Sequence, residues 1–450
     1  MPKNNPDLMK MKMELDSLII FQELRRDETI NKFRKIIGYF NASVFELEKF
    51  VRLYADFFHC LIRHSCLSFQ DYIIKKIIFS ENTYFLKQMQ GSKEARNLMQ
   101  GIMGKELQSL QAASSFNSGS IKELALQYCS SSDEEKIINQ LPEWLGHDEE
   151  LFADKNKAYL KQIADLFHFS KDWGKCVDKL QEFYWQYGSG IFAQYKAFLW
   201  EKNGQEGYLR GIESPDPISF QDLIGYENQR SKIIENTLAF LNGYTANNLL
   251  LYGDRGTGKS STVKALLNAY YVEGLRMVEV PKAYLLDFPK IIQQLRGLPQ
   301  KFIIFVDDLS FEEQDESYTA LKAVLEGGLE VKPSNVLIYA TSNRRHLIKE
   351  KLSDRTGIKA GSLDEEVRTT DTVQEKLSLA DRFGMTIIFS APNKNKYLEI
   401  VEGIAARRGI KIEKEELQQL ALKWEMWYNG RSPRTARQFV DWLEGAKERF

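Results

Sequence analysis

The chain has 450 residues, of which 43% are hydrophobic and 27% charged, and its formal net charge is -1. That length and balance fit a globular chain of roughly two to three domains, and near-neutrality argues against a protein that coats a polyanion, though not against a local basic face. Four cysteines, Cys60, Cys66, Cys129 and Cys176, are too few for a disulfide scaffold, and neither a signal peptide nor a bilayer-spanning run is visible, so a cytoplasmic chain without a membrane partner is expected.

Residues 1–204 read as a helical N-terminal domain, a recognition or regulatory module. Leu15, Leu18, Ile19, Phe21 and Leu24, then Phe33, Ile36, Ile37 and Phe40, then Val44, Leu47, Val51, Tyr54 and Phe58 recur largely in steps of three and four, the period of a helix face. Ser, Gly and Asn at 113–120 mark a loop, and Ser130 to Asp133 a helix N-cap. Aromatic residues crowd the stretch from Phe167 to Trp200 and read as core rather than as a ligand box. His59, Cys60, His64 and Cys66 lie close together, but their spacing fits no compact zinc finger and the segment reads as a buried helix.

Asn203 to Gly207 and Ser214 to Pro217 break the helical pattern. Residues 205–392 then alternate short apolar strands with amphipathic helices, and the strands are expected at 249–252, 277–281, 302–307, 336–341 and 386–389. This is the α/β signature of a parallel sheet. Residues 393–450 read as a helical lid, with helices near 394–408, 413–426 and 433–449.

The chemistry concentrates in the α/β part. Gly253, Asp254, Arg255, Gly256, Thr257, Gly258, Lys259 and Ser260 have the spacing G-x-x-x-x-G-K-S, between an apolar strand and a helix that Ser261 continues. Such a loop curls its N–H groups toward phosphate oxygens, and the positive helix end adds to that field. Lys259 is expected to reach the β- and γ-phosphates and the Ser260 hydroxyl to ligate Mg²⁺. The strand before Asp307 and Asp308 places two acids beside the loop: Asp307 for Mg²⁺, Asp308 to activate water, with Glu312 and Glu313 behind as substitutes. Asn343 closes the next strand, where it positions the water and senses the nucleotide, while Arg344, Arg345 and His346 stay without a fixed role. Arg382 suits the site of a neighbouring copy if the chain assembles head to tail, which predicts a homo-oligomer. Arg434, in the first turn of a lid helix, is expected to fold over the nucleotide, and Arg437 is the alternative.

The order of phosphate loop, Asp-Asp strand, Asn-ended strand, Asp-Arg-Phe at 381–383 and Ser-Pro-Arg at 432–434 resembles an AAA+ ATPase. Phe220 to Gly225 is similar to the segment that leads into such modules and contacts adenine, which gives Ile224 a place in the base pocket. More narrowly, 253–261, 307–312, 340–347 and 377–384 resemble the bacterial AAA+ family catalogued as domain of unknown function 815, over about 205–450. The resemblance implies an α/β P-loop AAA+ core with a parallel sheet and a C-terminal helical lid. It also implies binding and hydrolysis of ATP with Mg²⁺, and it leaves the macromolecular substrate open.

Two uses of the cycle are expected. One is remodelling of a protein or DNA partner. The other is a slowly hydrolysing nucleotide switch or loader associated with DNA, for which Asp308 in place of a longer Glu is an argument. Lys394, Lys396, Arg407, Arg408 and Lys411 give the lid some basic character without a recognisable DNA-reading motif. Lys282 to Asp287, after the second strand, reads as the start of a packed helix.

Overall fold

Apolar residues at helical spacing bury themselves in the helices Glu28–Tyr39 and Leu47–Arg63. Phe33, Ile36 and Ile37 form the inner face of the first, as expected, and Ile30 joins them. In the second the buried stripe is Phe50, Tyr54, Phe57, Cys60 and Leu61, rotated from the expected Val44, Leu47, Val51, Tyr54 and Phe58. Rings remove more apolar surface from water than Val, so they win the inner face. Val44 and Ile19 remain exposed.

The computed structural model describes residues 5–41, 44–82, 91–148, 151–152, 158–311, 316–326, 333–343, 381–428 and 430–447. It divides into two compact units, Met1–Gln194 and Tyr195–Phe450. The described secondary structure of the first is helical, around one core that runs from Leu8 to Ala193. Buried Glu106 accepts the N–H groups of Ile19, Ile20 and Phe21 at 2.6–3.1 Å, which holds the turn between two helices. Bonds to a charged acceptor contribute on the order of 1.5–3 kcal/mol each. The expected N-cap is present, with Ser131 Oγ accepting from Glu134 N, and the expected loop shrinks to a short link after the helix Lys93–Ser114. Of the His59 to Cys66 group, Cys60 and Cys66 are buried.

The second unit begins with a strand rather than more helix. Among the described residues its strands are β1 Ala197–Asn203, β2 Glu206–Gly211, β3 Leu249–Gly253, β4 Leu275–Glu279, β5 Lys301–Val306, β6 Val336–Ser342 and β7 Met385–Phe389. They form one sheet in the order β2-β1-β4-β5-β6-β3-β7. β1 and β2 pair antiparallel, and the other neighbours pair parallel. Asn203 and Glu206 face each other across a hairpin turn, with Gly204 at φ +64°. The domain break expected at 204/205 therefore lies inside a hairpin, and the compact units part at Gln194 and Tyr195 instead. The physical reason is that Asn-Gly serves a tight hairpin as well as a linker. The aromatic stretch divides accordingly. Phe167, Trp173 and Tyr184 pack in the first unit, whereas Phe198 and Trp200 are buried from β1, where Trp200 Nε1 donates to Asp287 at 3.1 Å.

The inner strands β3, β5 and β6 are buried along nearly their whole length because both faces of the sheet are covered there, whereas the edge strand β7 leaves Thr386 and Ile388 exposed. β3 to β7 start and end within two residues of expectation, as do the helices Lys394–Arg407, Lys414–Trp427 and Pro433–Lys447. These three helices share their own core of Tyr397, Val401, Ala421, Phe439 and Val440. Lys282–Asp287 is a short 3₁₀ segment that leads into the helix Phe288–Leu295. The fold is a mostly parallel α/β core with a glycine loop after β3 and a C-terminal helical lid, and the chain before it is helical. The order β5-β6-β3 brings the ends of those three strands to one edge of the parallel sheet, where ligands of open α/β sheets bind.

Candidate functional site

β3 runs into the loop 254–258 and then into the helix Lys259–Tyr270. Gly253 has φ +139°, and a Cβ there would stand 2.1 Å from the Phe389 carbonyl oxygen on the paired β7. Only glycine lets the two backbones approach so closely. Gly258 caps the helix in the left-handed region at φ +89°. The loop thus presents the N-terminus of a 12-residue helix to the cleft in front of it.

Lys259 turns back over the loop. Its buried ammonium donates to the carbonyls of Gly253 (2.9 Å) and Asp254 (2.8 Å) and to Asn343 Oδ1 (3.1 Å). Burial pushes it below the ordinary lysine value, although Asp254, Asp308 and Asp307 pull the other way. A cation held against desolvation has much to gain from an anionic ligand.

β5 and β6 bring the acids to the loop. Ser260 Oγ donates to Asp307 Oδ1 at 2.6 Å, and Thr341 Oγ1 donates to the same oxygen at 2.5 Å. The Thr341 hydroxyl also accepts from Asp308 N at 2.9 Å. Asp308 stands at φ +51°, a conformation that costs a non-glycine residue on the order of 1–3 kcal/mol and that clusters at functional sites. Its carboxylate accepts from Asn343 Nδ2 at 2.6 Å.

The lid closes the far side. Ser432 caps the helix Pro433–Lys447 through Thr435 N at 3.0 Å, and Arg434 N donates to the Gly256 carbonyl at 3.1 Å. Ile224 and the lid residues Ile400 and Ile404 form an apolar wall. Together these elements enclose a cleft of about 480 Å³. Arg230, Arg255, Lys259, Arg434 and Arg437 line it, so cations gather here in a chain whose net charge is only -1.

The expected residues assemble as follows. Lys259, Ser260, Asp307, Asp308 and Asn343 interlock, and Ile224, Arg255, Gly256, Thr257, Gly258, Ser261 and Arg434 line the same cleft. Gly253 and Asp254 supply carbonyls to Lys259, and Asp254 Oδ2 accepts from Ala391 N at 2.6 Å. Arg437 lines the cleft too and donates to the Asp222 carbonyl at 3.3 Å. Arg382 does not line it, and its guanidinium pairs with Glu326. Glu312, Glu313, Arg344, Arg345 and His346 lie outside the described residues. Sequence reasoning missed Thr341, which ties both acids together. The signal was there: Thr341 and Asn343 stand two apart at the end of a strand and so share a face.

The donor set fits a nucleoside triphosphate and Mg²⁺. Lys259, the loop and the helix end suit phosphate, the isoleucines suit a base, and the Asp307 carboxylate with the Ser260 hydroxyl supplies the hard oxygen ligands Mg²⁺ takes. No curated protein matches the chain. Among solved structures, a point variant of RuvB from Thermotoga maritima is 18% identical, with 50% of this chain and 63% of that one covered and a TM-score of 0.34. Thermotoga maritima RuvB, titled a Holliday junction branch migration motor, is 17% identical with the same coverage and a TM-score of 0.33. The chain spans about 63% of the length of these structures. Residues 193–447 match the family described as protein of unknown function (DUF815), and the chain belongs to that family.

Proposed function

We propose that the chain is an ATP hydrolase of the AAA+ type that forms homo-oligomers and drives a conformational change in a macromolecular partner. The observation that carries this reading is the Asn343 amide, which joins the phosphate-loop lysine to Asp308, the acid next to the Ser260–Asp307 pair. Lys259 and the loop N–H groups hold the β- and γ-phosphates of the substrate, Ile224 and the lid isoleucines hold its base, and Arg434 reaches over from the lid. Ser260 and Asp307 would hold Mg²⁺. When bound, the ion neutralises charge that develops on the phosphate oxygens. Asp308 accepts the proton of the attacking water, and Asn343 holds that water in line. Arg382 serves the site of the next copy, in keeping with its place outside the cleft of its own chain. Arg434 N on Gly256 O gives the lid a direct hold on the loop, so nucleotide binding and release move one against the other.

A slowly hydrolysing switch or loader is the second reading. It is favoured by the short Asp308 side chain, which is strained at φ +51° and already bonded to Asn343. A protein partner is favoured over DNA, because Lys396 and Arg408 of the basic lid residues are engaged in ion pairs with Glu399, Glu227, Asp441 and Glu444. The test is phosphate release from Mg-ATP against protein concentration, with light scattering in ATP and in ADP. Specific activity that rises with assembly supports the hydrolase. A monomer that binds ATP and barely turns over supports the switch.

A further inference from the structure

The helical unit gathers three metal-binding side chains far from the nucleotide cleft in sequence. Asp71 is fully buried in the first turn of the helix Phe69–Ile78. The segment 145–148 runs beside the start of that helix, held by Leu145 N on Leu67 O (2.7 Å) and Ser68 Oγ on Gly146 O (3.0 Å). This delivers His147, and the helix Ala158–Phe169 delivers His168. His168 Nε2 lies 2.7 Å from Asp71 Oδ1, and His147 Nδ1 lies 3.1 Å from Oδ2 and 3.2 Å from Oδ1. The two imidazole rings stand 4.1 Å apart, centre to centre.

Two features set this group apart from an ordinary buried ion pair. His168 Nε2 is enclosed, with its side chain 8% exposed, and no partner meets it at hydrogen-bonding angles despite the short approach to Asp71. The three side chains also converge, each offering a ligand atom within 4.8 Å of the others. Atoms bonded to one tetrahedral Zn²⁺ at 2.0–2.2 Å stand roughly 3.3–3.6 Å apart, so His147 is already close to a shared position and His168 has to draw back from its 2.7 Å approach to Asp71. Asp71 is prepared as a ligand. The Asp148 N–H donates to its Oδ2 at 2.6 Å. A backbone donor that orients the carboxylate is the kind of support metal ligands receive. His147 is 43% exposed and leaves the group open to solvent on that side.

We propose that Asp71, His147 and His168 bind a divalent transition-metal ion, with Zn²⁺ the best match to two imidazoles and one carboxylate. The ion cross-links the helix Phe69–Ile78, the 145–148 segment and the helix Ala158–Phe169. It holds the helical unit together independently of nucleotide, so the proposal stands apart from the reading of the ATP cleft. The three protein ligands leave a coordination position toward the His147 side.

The experiment uses the full chain, stripped with a chelator and titrated with ZnCl₂ against a chromophoric chelator, and with CoCl₂ followed by visible absorption. About one Zn²⁺ per chain is expected, with Co²⁺ bands of a nitrogen–oxygen site and no intense thiolate charge-transfer band. His147→Ala, at the exposed position, and His168→Gln should each weaken binding by on the order of tenfold to a hundredfold or more. If His168→Gln fails to fold, His147→Ala carries the test, with its metal-free circular dichroism matched to that of the parent. No stoichiometric binding by the parent chain, a thiolate-type Co²⁺ spectrum, or affinity unchanged by His147→Ala overturns the proposal and leaves the group as a buried Asp–His ion pair.

Discussion

Asn343 Nδ2 donates to Asp308 Oδ1 at 2.6 Å. Since Asn343 Oδ1 accepts from Lys259 at 3.1 Å, one amide reads both the lysine and the acid. An amide can satisfy this pair only in one orientation, oxygen to the cation and nitrogen to the carboxylate. A phosphate that draws Lys259 forward is expected to release the Asn343 amide oxygen and to leave its Nδ2 as the remaining hold on Asp308.

Asp308→Asn should keep Mg-ATP binding and lower turnover by on the order of 10²–10⁴-fold, the range of a lost general base. Nucleotide affinity by titration and single-turnover phosphate release measure the two separately. Unchanged turnover assigns the base to Glu312 or Glu313.

Thr341→Val keeps the shape of the side chain and removes its hydroxyl. Asp307 loses a donor and Asp308 N loses its acceptor. An unsatisfied buried group costs about 1–3 kcal/mol. The expected outcome is a lower unfolding midpoint in urea together with a raised Mg²⁺ requirement for turnover. A variant as stable as the parent, with unchanged Mg²⁺ dependence, removes Thr341 from the site.

Lys259 carries a pH prediction. Its free-state value lies below the usual lysine value because the ammonium is buried. The charged form is thus disfavoured in the folded chain, a loss that fades as pH rises through that value. Bound phosphate favours the ammonium and raises the value again. ATP affinity should therefore fall as pH climbs through the free-state value of Lys259, with proton uptake on binding in that window. Calorimetry in buffers of different ionisation enthalpy detects that uptake. The prediction fails if affinity holds steady up to the ordinary lysine range near pH 10.4.

The parts of the site that sequence revealed are those in which chemistry is contiguous. The loop 253–260 and the pair Asp307–Asp308 have fixed local spacing, and the strand before each is apolar throughout because it lies inside a parallel sheet. Thr341 shares a strand face with Asn343, but its tie to the two acids follows only from the pairing of β6 between β5 and β3, where Leu251 lies opposite Thr341. The β1–β2 hairpin stayed hidden because Trp200 reads equally well as the end of an aromatic helix stripe. The Asp71, His147 and His168 group had no local signal at all, since 76 residues separate the first two. The cysteines and histidines of 59–66 are close in sequence, yet their spacing fits no compact zinc site.

Arg382→Ala should lower turnover in assembled protein by as much as the order of 10³-fold, the size of effect of an arginine supplied to a phosphoryl transfer in trans. Glu326→Ala, which removes one ion-pair partner of Arg382 within the chain, is the control and should retain activity. Mixing Arg382→Ala with Lys259→Ala should restore part of the rate, because a mixed interface combines an intact loop with an intact arginine. No recovery at any mixing ratio would sink the shared site.

The most direct measurement is Mg²⁺-dependent phosphate release by the purified full chain beside Lys259→Ala, with nucleotide binding followed by thermal shift in the same samples. ATP at a hundredfold excess over its dissociation constant should stabilise the parent chain by about 2.7 kcal/mol. The parent should also release phosphate, and Lys259→Ala should lose the shift, the turnover or both. A Lys259→Ala chain that binds and hydrolyses ATP like the parent, or a parent that does neither, contradicts the account.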